Sequence, residues 1–234
     1  MGDVLLGALV VLGAATLAGF ISVLLVGIPD PSDPNAANDL LSEPAVLVTS
    51  VLTQQVAMIG WVLWVGARKG NGVIRDFGLR FRWVDIAIGL GAAISALVVG
   101  NVVITFLSNL ANTDAVDNTG FIDASDQGLW IIPIVLMVVV GAPLSEELFF
   151  RGLVFRAAER RWSTGVSIAL TTVAFSLVHV STDVSAAENL LLLLGIAIYG
   201  FALTAVVAQF RRLGPAIIGH MAINGLVVTA LLAT

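Results

Sequence analysis

Seven stretches of the 234-residue chain are nearly unbroken runs of apolar residues, at roughly 4–28, 45–66, 85–107, 130–150, 164–182, 188–210 and 215–233. A bilayer core about 30 Å thick takes about 20 such residues as one helix. Strands left uncovered in lipid cannot satisfy their backbone, so the runs read as helices. The pattern predicts an all-α integral membrane protein, a polytopic bundle of about seven transmembrane helices. The first run is too long for a signal-peptide core, its flank is Met-Gly-Asp rather than basic, and no A-x-A site ends it. It is expected to be a retained helix.

The polar connectors between the runs differ in charge. Residues 29–44 and 108–129 hold four acids each and no base, and residues 183–187 hold only Asp183. All eleven basic residues fall in the alternate connectors: Arg68, Lys69, Arg75, Arg80 and Arg82; then Arg151, Arg156, Arg160 and Arg161; then Arg211 and Arg212. The positive-inside rule makes those connectors cytoplasmic, with the N-terminus inside and the C-terminus outside. Trp83, Trp130 and Trp162 lie at span edges, where interfacial aromatics gather. Residues 73–85 read as a short amphipathic helix on the inner surface.

Composition changes this picture little. The chain is 58% apolar and 12% charged, half the charge density of about 25% in soluble domains. The net charge of -5 comes from acids dispersed in connectors, and no basic patch suggests nucleic acid. The absence of cysteine excludes disulfides, thiolate metal sites and a cysteine nucleophile. One Lys against ten Arg, with abundant Ala, Val, Gly and Asp, points to a GC-rich prokaryotic genome, hence a multi-pass protein of a prokaryotic cell membrane. The expected partners are the lipid bilayer and whatever peptide or protein reaches the site within it. Nothing in the sequence points to an oligomeric state.

Ionisable residues inside apolar runs are costly and usually functional. The fourth run ends in PLSEELFFRG, with Glu146, Glu147 and Arg151; the fifth holds Phe175 and His179; the seventh holds His220 and Asn224. These are the only two histidines in the chain. Glu147–Arg151 and His220–Asn224 are i,i+4 pairs, each sharing a helix face. Glu146 is turned about 100° from Glu147. Glu146 lies 16 residues before Trp162 and His179 lies 16 after Ser163, so a hairpin there sets them at one depth. Three helices thus bring acid and imidazole to one level on the cytoplasmic side, in a polar intramembrane cavity.

Glu-Glu-x-x-x-Arg, Phe-x-x-x-His and His-x-x-x-Asn, in this order on successive helices, resemble the CPBP family of type II CAAX prenyl endopeptidases and bacteriocin-processing or Abi proteins. Glu146 to Arg151, Phe175 to His179 and His220 to Asn224 carry the likeness, which covers roughly residues 130–230. Residues 1–129, three spans and their connectors, carry no matching motif; residues 130–234 form the catalytic-type helices, all within a single structural unit. The resemblance implies an intramembrane endopeptidase, with the first glutamate and first histidine closest to the water.

Peptide hydrolysis needs an activated water, an oxyanion donor and a dry cavity. Glu146 is the expected general base, and His179 shares the water. His220 and Asn224 donate toward the oxyanion, and Glu147 with Arg151 supports the helix face. Each has a plainer reading: a structural ion pair for Glu147–Arg151, packing for Phe175, an interhelical bridge for His220–Asn224. No HExxH and no G-x-S-x-G is present, and Ser145 and Ser176 lie one residue off the faces that carry partners. The expected reaction needs no cofactor and no metal. The alternative is zinc held by Glu146, His179 and His220, two His and one Glu being a known catalytic set. A non-catalytic bacteriocin-immunity or membrane scaffold protein is the reading from another class. A transporter would show broken helices at matching positions in two halves, and Pro143 has no counterpart in the first half. The substrate class implied is a membrane-associated peptide or protein, prenylated CAAX proteins being out of place in a prokaryote.

Overall fold

The computed structural model describes residues 1–27, 32, 40, 43–116, 128–181 and 184–233. The helices are α1 (Gly2–Val26), α2 (Pro44–Lys69), the single turn α3 (Val73–Asp76), α4 (Val84–Ala111), α5 (Gly128–Glu159), α6 (Thr164–Leu177), α7 (Ala186–Phe210) and α8 (Gly214–Leu232). No strand occurs among the described residues. Most of the acidic connector 29–44, half of 108–129 and Asp183 of the third fall outside them.

Among the described residues six helices, α1, α2, α4, α5, α7 and α8, are long and apolar enough to cross a membrane, which supports a multi-pass membrane protein. The expectation of about seven is not met in full. The run at 164–182 yields a helix of only 14 residues, about 21 Å at helical rise and short of a 30 Å core. Helix α6 ends early because the chain is claimed by the next start signal. Ser185 caps α7 in a reciprocal box with Glu188, and the Asn189 amide bonds both the N–H and the carbonyl of Ser181.

The segment 73–85 is also not one amphipathic helix. It gives a single turn, then an irregular stretch in which Gly78 takes φ +73° and its carbonyl accepts from Leu213 N at 2.8 Å. A non-glycine residue there is strained and would also meet the Arg211 carbonyl.

The two halves of the chain interlock. Helix α1 packs on α2, α4 lies against α7 and α8, α6 against α7, and α5 runs between α2 and α8. At the α4–α8 crossing, a Cβ on Gly89 would stand 2.5 Å from the Pro215 carbonyl, and one on Gly219 would stand 2.9 Å from that of Gly89. Only small residues allow backbones so close. This crossing sets the depth of His220, the next residue along.

The basic connectors gather at one end of the bundle. There Lys69 pairs with Asp3 at 2.5 Å, Arg212 donates to the fully buried Asp85 at 2.5 and 2.8 Å, and Glu159 holds Arg156 and Arg211. Trp83 and Trp162 are exposed at the same end.

Helix α5 is not a regular α-helix. It widens to π geometry at Met137–Gly141 and again at Glu147–Val154, where Phe155 N–H bonds Phe150 O. π-Bulges inside α-helices concentrate at functional sites. The first one has a local cause. Ala142 N–H reaches back to Met137 O, and in that register the partner of Val138 O would be the nitrogen of Pro143, which carries no hydrogen. Val138 O takes a hydrogen bond from Asn224 Nδ2 instead, at 2.8 Å, and Gln55 Nε2 donates to Met137 O at 3.0 Å. The Asn224 side chain of α8 thus closes the gap that proline opens, and Gln55 of α2 adds a second donor to Met137 O.

Candidate active site

The second π segment begins at Glu147, so the two adjacent glutamates are presented to different neighbours. Glu147 turns into protein. It and Arg151 are fully buried, with Oε1 3.1 Å from Arg151 Nη1. That nitrogen makes no hydrogen bond in the geometric sense, so the pair is held by charge. The guanidinium is fixed by its other nitrogens: Nε donates to Thr204 Oγ1 and Nη2 to Gly200 O, each at 3.2 Å. Its face lies 4.1 Å from the centre of the Phe175 ring, a cation–π contact.

Glu147 Oε1 also accepts from His220 Nδ1 at 2.9 Å. With the carboxylate accepting, Nδ1 is the donor of this bond and Nε2 points to the other side of the ring. That Nε2 faces Glu146 Oε2 at 3.9 Å, beyond hydrogen-bond distance. Glu146 Oε2 has no hydrogen-bond partner among the described residues. Its side chain is 21% exposed, against none for Glu147.

His179 lies just past the end of α6 rather than within a helix as the hydrophobic run implied, because the helix stops at Leu177. The last carbonyls of a helix lack intrahelical donors, and His179 Nδ1 serves one of them, Phe175 O, at 2.7 Å. Its Nε2 again points to the other side of the ring. Phe175 packs at the centre of these groups. Its ring is fully buried and touches Phe150 edge-on at 5.2 Å, His179 at 4.9 Å and His220 at 6.1 Å, so one aromatic ring sets both imidazoles and the arginine.

Glu146, His179, His220 and Asn224 all line one cavity of about 1030 Å³. Its far wall comes from α1, α2 and α4, including Val11, Gln54 and Asn101. Sequence reasoning gave those helices no part in the site. It also missed Thr204, Gly200 and Tyr199. Tyr199 lines the cavity with its ring 6.4 Å from that of His220. A signal for it existed, since it is the single tyrosine of the chain and stands inside an apolar run. Ser145 and Ser176 are spent on backbone carbonyls, at 2.8 Å to Gly141 O and 2.6 Å to Leu193 O.

Residues 128–226 match the family of type II CAAX prenyl endopeptidases described as Rce1-like. The likeness to that family spans this segment, less than half of the chain. It begins where α5 begins, ends two residues past Asn224, and so contains every motif residue. The matched family is one of proteases, and among the described residues six helices are long and apolar enough to cross a membrane. No curated protein and no solved structure matches the chain.

Among the described residues, no three of His, Asp and Glu gather closely enough to hold a metal ion. His220 Nδ1 is committed to Glu147 and His179 Nδ1 to Phe175. Both Nε2 atoms stay available, and a bond of this kind from the second ring nitrogen is also what supports a metal-ligating histidine; no step is routed through an ion.

Proposed function

We propose that the protein is a metal-free glutamic endopeptidase that hydrolyses a peptide bond of a membrane-associated substrate inside the cavity, with Glu146 as general base. The observation that carries this reading is Glu146 Oε2, a carboxylate oxygen without a partner among the described residues, at a cavity wall and 3.9 Å from His220 Nε2. An unpartnered carboxylate oxygen at a cavity wall, beside two imidazoles whose Nδ1 atoms are both engaged, suits proton abstraction from water.

In the proposed reaction a water oxygen attacks the scissile carbonyl carbon while its proton passes to Glu146, with His179 sharing and steering the water. The tetrahedral oxyanion takes a hydrogen bond from the second amide hydrogen of Asn224, whose first is bound to Val138 O. Protonation of His220 Nε2 by Glu146 would supply a second donor, and the imidazolium is stabilised by Glu147 on the far side of the ring. The carbon–nitrogen bond then breaks and the abstracted proton leaves on the amine. Glu147 and Arg151 touch no reacting atom in this scheme; they position His220.

We assign the basic end of the bundle to the cytoplasm of a prokaryotic cell by the positive-inside rule, with the site opening to that side. The metal-free reading is tested by elemental analysis of the purified protein and cleavage of a membrane-anchored peptide library after strong chelation. Far less than one zinc per chain and undiminished cleavage are expected. Stoichiometric zinc, with cleavage lost on chelation and restored by the ion, would assign Glu146, His179 and His220 as ligands instead.

A further inference from the structure

A second cleft, of about 470 Å³, lies at the basic end of the bundle, and none of its lining residues borders the larger cavity. It is lined by Gly78 and six charged side chains: Arg75, Asp76, Arg156, Glu159, Arg160 and Arg211. Four arginines against two carboxylates leave a net charge of +2.

The acids are already occupied. Glu159 accepts from Arg156 Nη1 at 3.1 Å and from Arg211 Nη1 at 2.7 and 2.8 Å. Asp76 accepts from the backbone N–H of Asn71 at 2.5 Å. Arg75 and Arg160 have no acidic partner among the described residues and stand exposed at the rim, while Arg156 forms the buried floor. The excess charge is therefore carried by guanidinium groups free to turn to a ligand.

The frame beneath them is rigid. Three segments distant in sequence form it, tied by the Gly78 O to Leu213 N hydrogen bond, by the φ of +58° that turns Arg211 back, and by the Arg211–Glu159 bonds. Guanidinium forks match phosphate oxygens and are the usual choice for phosphate recognition. The cleft lies at the end of the bundle where Trp83 and Trp162 are exposed, the level at which aromatic belts meet lipid headgroups.

We infer that this cleft binds a phosphate group, carried by an anionic phospholipid of the adjacent leaflet or free in solution. The inference is independent of the hydrolytic reading and stands or falls without it. The test uses the full chain in nanodiscs of phosphatidylcholine, with or without phosphatidic acid, and in neutral nanodiscs with inorganic phosphate. Melting temperature and lipid retention in native mass spectrometry are read for wild type, R75Q/R160Q, and R68Q as an exposed arginine outside the cleft. A ligand that binds the folded state alone raises Tm by mass action. Phosphatidic acid should raise Tm for wild type and R68Q, with apparent affinity at least about tenfold weaker in R75Q/R160Q. A response to inorganic phosphate alone, lost in the double variant, would support the cleft with a soluble ligand. No response in wild type, or an equal one in R75Q/R160Q, would overturn the proposal. Both replaced side chains are exposed and without acidic partners, and if the double variant fails to fold, R75Q and R160Q singly carry the same test.

Discussion

Glu147 Oε1 lies 2.9 Å from His220 Nδ1 and 3.1 Å from Arg151 Nη1, so one buried oxygen serves a histidine from α8 and an arginine from its own helix. The contact makes His220 Nδ1 the donor and aims Nε2 at Glu146. Glu147 thus governs the site without facing the cavity. The expected result for Glu147→Gln follows. A glutamine oxygen can still accept from Nδ1, but the charge that stabilises an imidazolium is gone. Cleavage should fall by less than the ~10²–10⁴-fold of a lost general base, through kcat rather than KM. A variant as inactive as one lacking Glu146 would place Glu147 in the chemistry itself.

Among the described residues, Arg151 is the permanent positive charge paired with Glu147, beside the His220 ring. Arg151→Ala leaves a buried carboxylate without its ion partner, a loss of about 3–5 kcal/mol. For a chain of this size that is a Tm decrease of roughly 6–20 °C. Removing both charges, in Glu147→Gln with Arg151→Met, should recover most of it, because the penalty belongs to the unpaired acid. Thermal unfolding in detergent reads both variants. A double variant no more stable than Arg151→Ala alone would show that the Thr204, Gly200 and Phe175 contacts of the arginine matter more than its charge.

Asn224 has two duties, both resting on its amide hydrogens, and two measurements separate them: Tm reports the bond to Val138 O, and cleavage per folded protein reports the oxyanion donor. Asn224→Ala strips the donor from Val138 O, the carbonyl for which Pro143 offers no hydrogen, and removes the proposed oxyanion donor as well. It should lower both Tm and cleavage. Asn224→Asp keeps the shape and lacks the amide hydrogens. Loss of one such donor costs about 10²–10³ in rate. Near-normal cleavage by Asn224→Asp, measured on the same peptides, would remove Asn224 from the oxyanion site.

Orientation can be read directly, since the chain has no cysteine of its own. Single cysteines at the exposed positions Asn71 and Arg161 should label from the cytoplasmic side only, and those at Ala111 and Ala186 from the outer side only. Labelling of the Ala111 position from the cytoplasm would reverse the assignment of the basic end.

Much of this arrangement is legible in the sequence because it repeats at the period of one helix. The i,i+4 spacing of Glu147 and Arg151 foretells their ion pair even though the helix there is π, since either geometry keeps the two on one side. The motifs on the fourth, fifth and seventh runs mark residues that do share a cavity. What the spacing cannot carry is contact between runs. The bond from His220 to Glu147, the grip of Thr204 and Gly200 on Arg151 and the repair of Val138 O by Asn224 each join residues far apart in the chain. Two local errors have local causes. The apolar run to residue 182 conceals that α6 stops at Leu177, and the alternation at 73–85 conceals that Gly78 turns the chain away from a helix. The part played by α1, α2 and α4 leaves no motif because apolar lining looks like any other lipid-compatible surface.

The central claim is that Glu146 activates the water, and the cleavage rate of Glu146→Gln tests it most directly. The substitution preserves size and leaves the Glu147–Arg151–His220 cluster intact, so Tm should stay close to that of the wild type. With equal amounts of folded protein and a membrane-anchored peptide that the wild type cleaves, the account predicts a loss of at least about 10²–10⁴-fold. Cleavage by the glutamine variant within a few-fold of wild type would contradict the account, because an amide cannot take the proton from water.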